Sequence, residues 1–167
     1  RRLLSRDQEQ AVDELRKVEE MARRTTKEIR HMLFTLRPLI LESKGLVAAL
    51  NQLVDKTIET HDQLVYLEID PDLETDLGLE RESLVFFIAE EAINNARKHA
   101  AAAHIWIRLL QESDWFVLEV EDDGAGFNVG AVDRDYEQRG SLGMVNMRER
   151  AELVNGELQI ESTEGVG

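Results

Sequence analysis

Between Leu84 and Ala96 the apolar residues fall in one broad arc when wound at about 100° per residue. Leu84, Val85, Ile88, Ala89, Ala92, Ile93 and Ala96 make up that arc, too wide for the narrow seam of a coiled coil. A helix of this kind, read over residues 80–100, must lay its arc on a sheet. Two strands follow at once. "AHIWIRLL" and "WFVLEVED" flank the turn "QESD" and read as a hairpin. Alternation sets Ile105, Ile107 and Leu109 on one face of the first strand, and Phe116, Leu118, Val120 and Asp122 on one face of the second.

The other segments arrange themselves around this pair. Leu4, Gln8, Ala11, Leu15, Val18, Ala22, Thr25, Ile29, Met32 and Leu36 recur in steps of four and three, a heptad seam of the coiled-coil or helix-bundle type that Pro38 stops. The bland reading is a surface helix of one domain; the length of the repeat and its charged flanks favour a helix–helix interface. After the linker "ILESKG", the stretch "LVAALNQLVDKTIETHD" has helical spacing, "QLVYLEI" reads as a strand, and "DPDLETDLG" as a loop. Residues 127–140 are polar and aperiodic and read as a loop. "LGMVNMRERAELV" reads as a helix and "GELQIES" as a strand. The order implies an α+β sandwich, with helices on one face of a mixed, mostly antiparallel sheet, preceded by a long coiled-coil-like helix.

The 167 residues suit one domain with an appendage, divided at 1–42 and 43–167. The net charge of −14 argues against a general nucleic-acid or anionic-membrane surface. An anionic ligand would need local cations or a metal ion. With no cysteine, disulfides, thiolate catalysis and cysteine-based zinc sites are excluded, and a cytoplasmic setting fits. The apolar runs are too short to span a bilayer. The chain begins without Met and reads as a piece of a longer protein, one that is membrane-tethered in some readings.

Three segments carry candidate chemistry. In "IAEEAINNARKHA", Glu91, Asn95 and His99 run down one border of the apolar arc, with Lys98 beside them. Glu91 and Asn95 lie one turn apart and can reach one metal ion or water; the asparagine oxygen is a hard ligand suited to Mg²⁺. Alone, the pattern is more often a wetted helix edge. In "EDDGAGF", Asp122 stands on the core-facing side of its strand, where a charge is costly without a partner. It can accept from an exocyclic amino group such as that of adenine. A plain turn with Asp122 satisfied by local amides is equally open. Gly124 and Gly126 allow close backbone approach and positive φ. In "RGSLGMVNMRERA", Gly140 and Gly143 flank Ser141, a candidate N-cap, and the helix start offers N–H groups to phosphate. An ordinary loop-to-helix junction is the alternative.

Together these segments resemble the GHKL ATPase fold found in sensor histidine kinases. "EEAINNARKHA" looks like the N box, "DDGAGF" the first glycine box and "RGSLGMVNMRERA" the second. "TLRPLILESKGLVAAL" resembles the junction between dimerisation helix and catalytic domain in kinases that pair with NarL-type response regulators. The resemblance implies ATP and Mg²⁺ as ligands. Asn95 would hold the metal, with Glu91 acting on its water shell or as a base. Lys98 and His99 would lie along the phosphates. Asp122 would bind the adenine amino group, with Gly124 and Gly126 shaping the pocket. Gly140, Ser141, Gly143 and Met144 would complete the nucleotide site, with 127–140 as its lid. The implied activity is transfer of the γ-phosphoryl group to a histidine, then to a response-regulator aspartate, in a homodimeric full-length protein. Residues 1–42 would be the second helix of the dimerisation domain. A GHKL serine kinase of the anti-sigma type, a GHKL ATPase, and a non-catalytic dimerisation module are the alternatives. No "ELHD"-like phosphoacceptor box is present. His61 lies downstream of "LRP" and reads as an exposed helix end, and His31 lies beside the first seam. "STEGVG" ends where the family continues with another strand.

Overall fold

The computed structural model describes residues 11–19, 21–22, 25, 38–61, 63–73, 77–129 and 142–165. The chain divides into two compact units, Arg1–Arg37 and Pro38–Gly167. In the first, residues 11–19 are helical (α1). Its charged flank pairs internally, with Lys17 Nζ 2.9 Å from Glu14 Oε1 and Arg16 4.0 Å from Asp13. The seam residues Leu15 and Val18 are exposed, at 61% and 60%. Of the other seam positions, Ala11 is buried and Ala22 and Thr25 are exposed, while Leu4, Gln8, Ile29, Met32 and Leu36 lie outside the described residues, as does His31.

The second unit begins with α2 (Leu39–His61), which breaks at Gly45, where φ is +79°. The expected linker at residues 40–45 is instead a helical turn: Leu41 is only 1% exposed and sits in the core with Leu46, Ala49 and Leu50. Burying one leucine outweighs the turn-like composition of "ESKG". Leu41 accordingly lies in the unit that starts at Pro38. Left-handed backbone at Gly45 lets the chain change direction between the two helical pieces without a Cβ penalty.

A parallel pair joins β1 (Leu64–Ile69) to β2 (His104–Glu112), and an antiparallel hairpin joins β2 to β3 (Trp115–Asp122). The described sheet is therefore mixed, in the order β1-β2-β3. Parallel neighbours need a long crossover. It is supplied by α3 (Leu79–Asn95), which runs on into a π-helical turn (Ala96–Ala100). The last helix is α4 (Leu142–Leu153).

Alternation divides the sheet as the sequence predicts. Ile105, Ile107 and Leu109 are fully buried. They meet Val54, Val65, Ile93 and Ala96 at one end and Leu50, Val85, Phe86 and Ala89 at the other. The opposite face carries stacked Tyr66, His104 and Trp106 rings, 5.6–6.2 Å apart. There Arg108 bonds Glu68, Glu119 and Glu121. Glu121 and Glu119 raise the Arg108 pKa, the Glu121 hydrogen bond most of all.

The expected strand "GELQIES" is not one: residues 156–162 are irregular, with no ladder partner among the described residues. Strand composition without a neighbour to bond cannot make a strand.

Ile107 packs in the cluster with Val54, Val65, Ile93 and Ala96 and has no exposed surface. Ile107→Ala is expected to cost about 2–5 kcal/mol, the usual range for a deep aliphatic truncation. Urea unfolding, with the slope unchanged, measures it.

Candidate functional site

Four residues of the expected arc, Val85, Ala89, Ile93 and Ala96, are under 9% exposed, as is Phe86 outside it, whereas Leu84, Ile88 and Ala92 are half-buried. The border of the arc is left half-open, and Glu91 and Asn95 sit there, one turn apart. The first turn of α4 stands directly over them. A methyl built on Gly143 would overlap Glu91 Oε1 and come within 3.6 Å of Asn95 Nδ2. The structure thus brings Glu91, Asn95 and Gly143 together, with the Glu91 carboxylate in the space a side chain at 143 would take. Met144, the next residue, is half-buried.

Lys98 and His99 follow that cluster in the chain, where residues 96–100 form a π-turn with i to i+5 bonding in place of the expected α-helical winding. Both side chains are exposed. The π-turn ends at Ala101, in left-handed conformation with φ +50°.

A second cluster forms one turn further along. β3 delivers Asp122 opposite Ile105, on the helix-covered face. Asp122 Oδ1 accepts the Gly124 N–H at 2.9 Å, so part of the local-turn alternative holds. No described residue bonds its other oxygen. The loop after it is seated on the end of the π-turn, where Ala125 N–H donates to Ala100 O at 2.7 Å. A methyl on Gly124 would strike Ala100 Cβ, Ala100 O and Asp122 Oδ1. Gly126 takes φ +60°, the left-handed region the sequence reading assigns to this box. Gly140 and Ser141, with the bulk of the expected lid, lie outside the described residues.

The neighbouring Asp123 has a separate role that the sequence reading missed. Its Oδ1 accepts Ala103 N–H at 2.7 Å and His104 N–H at 2.8 Å, and its Oδ2 lies 2.6 Å from His104 Nδ1. These bonds, led by the His104 amide, hold its pKa below the usual aspartate value. The alternation that points Asp122 inward points Asp123 out, and its capping of β2 could have been suspected from that alone.

Other contributors leave no clear mark in the sequence. Arg150 seats α4 on α3: Nη1 donates to Phe87 O at 3.2 Å, and the guanidinium lies 5.3 Å from the Phe87 ring centre. Asn146, on the same side of α4, buries its amide oxygen with no partner among the described residues. A buried acceptor of this kind ordinarily has a donor, from water or ligand. A separate cavity of ≈ 490 Å³ lies between α2 and α3, lined by Pro38, Ala49, Leu53, Lys56, Phe86 and Glu90 among others. It holds none of the expected nucleotide residues.

A family model described as histidine kinase-, DNA gyrase B- and HSP90-like ATPase matches residues 80–167. The chain belongs to that ATPase family. A sensor-like histidine kinase of Chloroflexus aurantiacus is 43% identical over 169 residues, covering 100% of this chain and 28% of the relative. The sensor histidine kinase LiaS of Bacillus subtilis is 31% identical over 160 residues, covering 95% of this chain and 42% of the relative. The chain thus spans less than half the length of these relatives. Among solved structures, the histidine kinase domain of a blue-light activated kinase from Erythrobacter litoralis superposes with TM-score 0.57 at 20% identity, over 72% of this chain and 56% of that one. At that identity the likeness establishes the fold.

The glycines of this ATPase-family domain should separate by what each touches. Gly124→Ala meets the Ala100 carbonyl, which cannot move aside; it should cost roughly 1–3 kcal/mol as overpacking does. Gly143→Ala meets the end of a flexible glutamate; it should leave the melting temperature nearly unchanged while displacing Glu91. Melting curves for the two variants decide it. For Asp123, a lowered folded-state pKa means stability that is whole above the ordinary value of 3.8 and is lost as the pH falls through the folded value. Asp123→Asn should therefore be less stable than wild type at pH 6–7, with the gap closing below about pH 4; urea midpoints across pH measure it.

Proposed function

We propose that this chain is the ATP-binding catalytic domain of a two-component sensor histidine kinase, preceded by the second helix of its dimerisation domain. The observation that carries the reading is the seating of Gly143 against Glu91 and Asn95, one turn from where the Asp122 loop bonds Ala100. A carboxylate at a strand end, an amide and a carboxylate on a helix border, and a glycine-opened helix start are thereby gathered around the end of α3.

Each residue has a task the chemistry suits. The Asp122 oxygen not bonded to Gly124 accepts from the adenine amino group, and the Gly124 bond holds the carboxylate in orientation. Gly124 and Gly126 keep side chains out of the base's space. Asn95 and Glu91 offer hard oxygen donors, which fit Mg²⁺. Among the described residues no group of three or more His, Cys, Asp or Glu could hold a metal alone. That fits an ion carried mainly by substrate phosphates and water, as Mg²⁺ commonly is. The ion would supply neutralisation of phosphate charge, needed in a chain of net charge −14. Gly140, Ser141, Gly143 and Met144 would line the phosphate side, with Lys98 and His99 free to reach the outer phosphates from their exposed turn.

The reaction is transfer of the ATP γ-phosphoryl group to an imidazole nitrogen. The bond between that phosphorus and the β–γ bridging oxygen breaks, a P–N bond forms, and ADP leaves. Such chemistry asks the protein for positioning and charge stabilisation above all. The acceptor histidine belongs to another part of the whole protein; the described His61 and His104 stand at an exposed helix end and on the outer sheet face. The phosphoryl group then passes to a response-regulator aspartate, of the NarL type by the "LRP" junction. The exposed Leu15 and Val18 fit a seam completed by a second copy in a homodimer. No helix among the described residues is long and apolar enough to cross a membrane; the domain would work on the cytoplasmic side.

Calorimetry of ATP with and without Mg²⁺ tests the reading. Wild type should bind, Asp122→Asn should weaken binding at least tenfold, and Asn95→Ala should remove most of the Mg²⁺ dependence. A folded wild type that binds no ATP would sink the proposal.

A further inference from the structure

The geometry points to Ser162 as a positioning residue for the nucleotide site, acting through the Gly126–Phe127 peptide. This rests on the reading of the site as an ATP pocket. Three bonds brace the loop that follows Asp122. Ala125 N–H donates to Ala100 O, and Gly165 N–H donates to Ala125 O, each at 2.7 Å. Phe127 N–H donates to Ser162 Oγ at 2.9 Å. The first two join backbone to backbone, and many side chains at these positions would permit them. The third depends on one hydroxyl.

Its place in the loop gives that hydroxyl leverage. The N–H it holds belongs to the peptide joining Gly126 to Phe127. Gly126 stands at φ +60° and, lacking Cβ, can adopt either sign of φ at little cost. The Ala125 bonds fix the loop before the glycine, and the Ser162 bond fixes the peptide after it. Without Ser162 the Gly126–Phe127 peptide loses the bond from its N–H. The Gly126 backbone then samples conformations that intrude on, or withdraw from, the space beside Asp122. Ser162 is half-buried and 35 residues from Phe127 in sequence. The bond therefore also ties the C-terminal segment, which forms no strand, to the pocket loop.

The test compares Ser162→Ala and Ser162→Thr with wild type, using Mg²⁺–ATP affinity by calorimetry and the melting temperature of each. Alanine removes the acceptor alone; threonine keeps it. A single uncharged hydrogen bond leads one to expect ATP binding about three- to tenfold weaker in Ser162→Ala, with the melting temperature within about 2 °C of wild type. Ser162→Thr should return to within about twofold. Two results would overturn the inference: Ser162→Ala binding ATP as tightly as wild type, or a loss that follows a lowered melting temperature and is not restored by threonine. If wild type itself binds no ATP, the nucleotide reading fails and this inference with it. If wild type binds and Ser162→Ala is indistinguishable from it, the inference alone fails.

Discussion

The hydrogen bond from Ala125 N–H to the Ala100 carbonyl, 2.7 Å long, joins the end of α3 to the loop leaving β3. Both elements are otherwise held by the core: α3 through Ile93 and Ala96, β3 through its pairing with the buried β2. The bond locks their two ends in register, and it can form only because Gly124 lies flat against Ala100. The Asp122 loop is thereby fastened to the end of the same helix that carries Glu91 and Asn95. The π-turn contributes by letting the helix end wider than an α-helix would, with Ala101 in left-handed conformation turning the chain toward β2.

Much of this could be read from the residues. The arc from Leu84 to Ala96 and the period-2 faces of β2 and β3 are strong patterns because burial enforces them, and the fully buried Ile105, Ile107 and Leu109 show how strictly. Glu91, Asn95, Asp122, Gly124, Gly126 and Gly143 could be singled out because each breaks a pattern: a carboxylate on a core face, glycines where the backbone must approach closely or turn left-handed. Residues that break no pattern stayed hidden. Nothing in "ARKHA" announces a π-turn, so the helix was expected to run regularly to Ala100. Ser162 and Arg150 look like surface residues, since their partners, Phe127 N–H and Phe87 O, are backbone groups distant in sequence. Leu41 was lost in a linker whose composition signals a turn, because only the tertiary fold shows the leucine's partners. "GELQIES" errs the other way: its composition signals a strand, but pairing belongs to two segments and not to one.

The two adjacent aspartates show how a fold divides labour between like residues. Asp122 and Asp123 differ only in which face of β3 they terminate. Asp123 accepts two amides and faces the His104 ring, which satisfies it fully and fastens the start of β2. Asp122 spends one oxygen on its own loop and keeps the other uncommitted among the described residues. A carboxylate on a core-facing position with an open oxygen is an unfavourable arrangement for a stable domain by itself. It becomes reasonable when a donor arrives from outside, which is the argument for a base-binding role. Asn146 presents the same imbalance on α4, with a buried amide oxygen and no described donor.

The same contrast explains how so acidic a chain can present a site for an anion. The outer face of the sheet gathers Glu68, Glu119 and Glu121 around Arg108. They lie on the opposite side of the sheet from Asp122 and the helices. Around the end of α3 the positive character comes instead from Lys98, from the start of α4, whose dipole is positive at that end, and from any cation held by Asn95 and Glu91. Backbone amides and a borrowed metal ion can be aimed, and they add no positive side chain that the neighbouring carboxylates would neutralise. Gly143 complements this arrangement: with no side chain of its own, it lets the first turn of α4 come down onto Glu91 and Asn95.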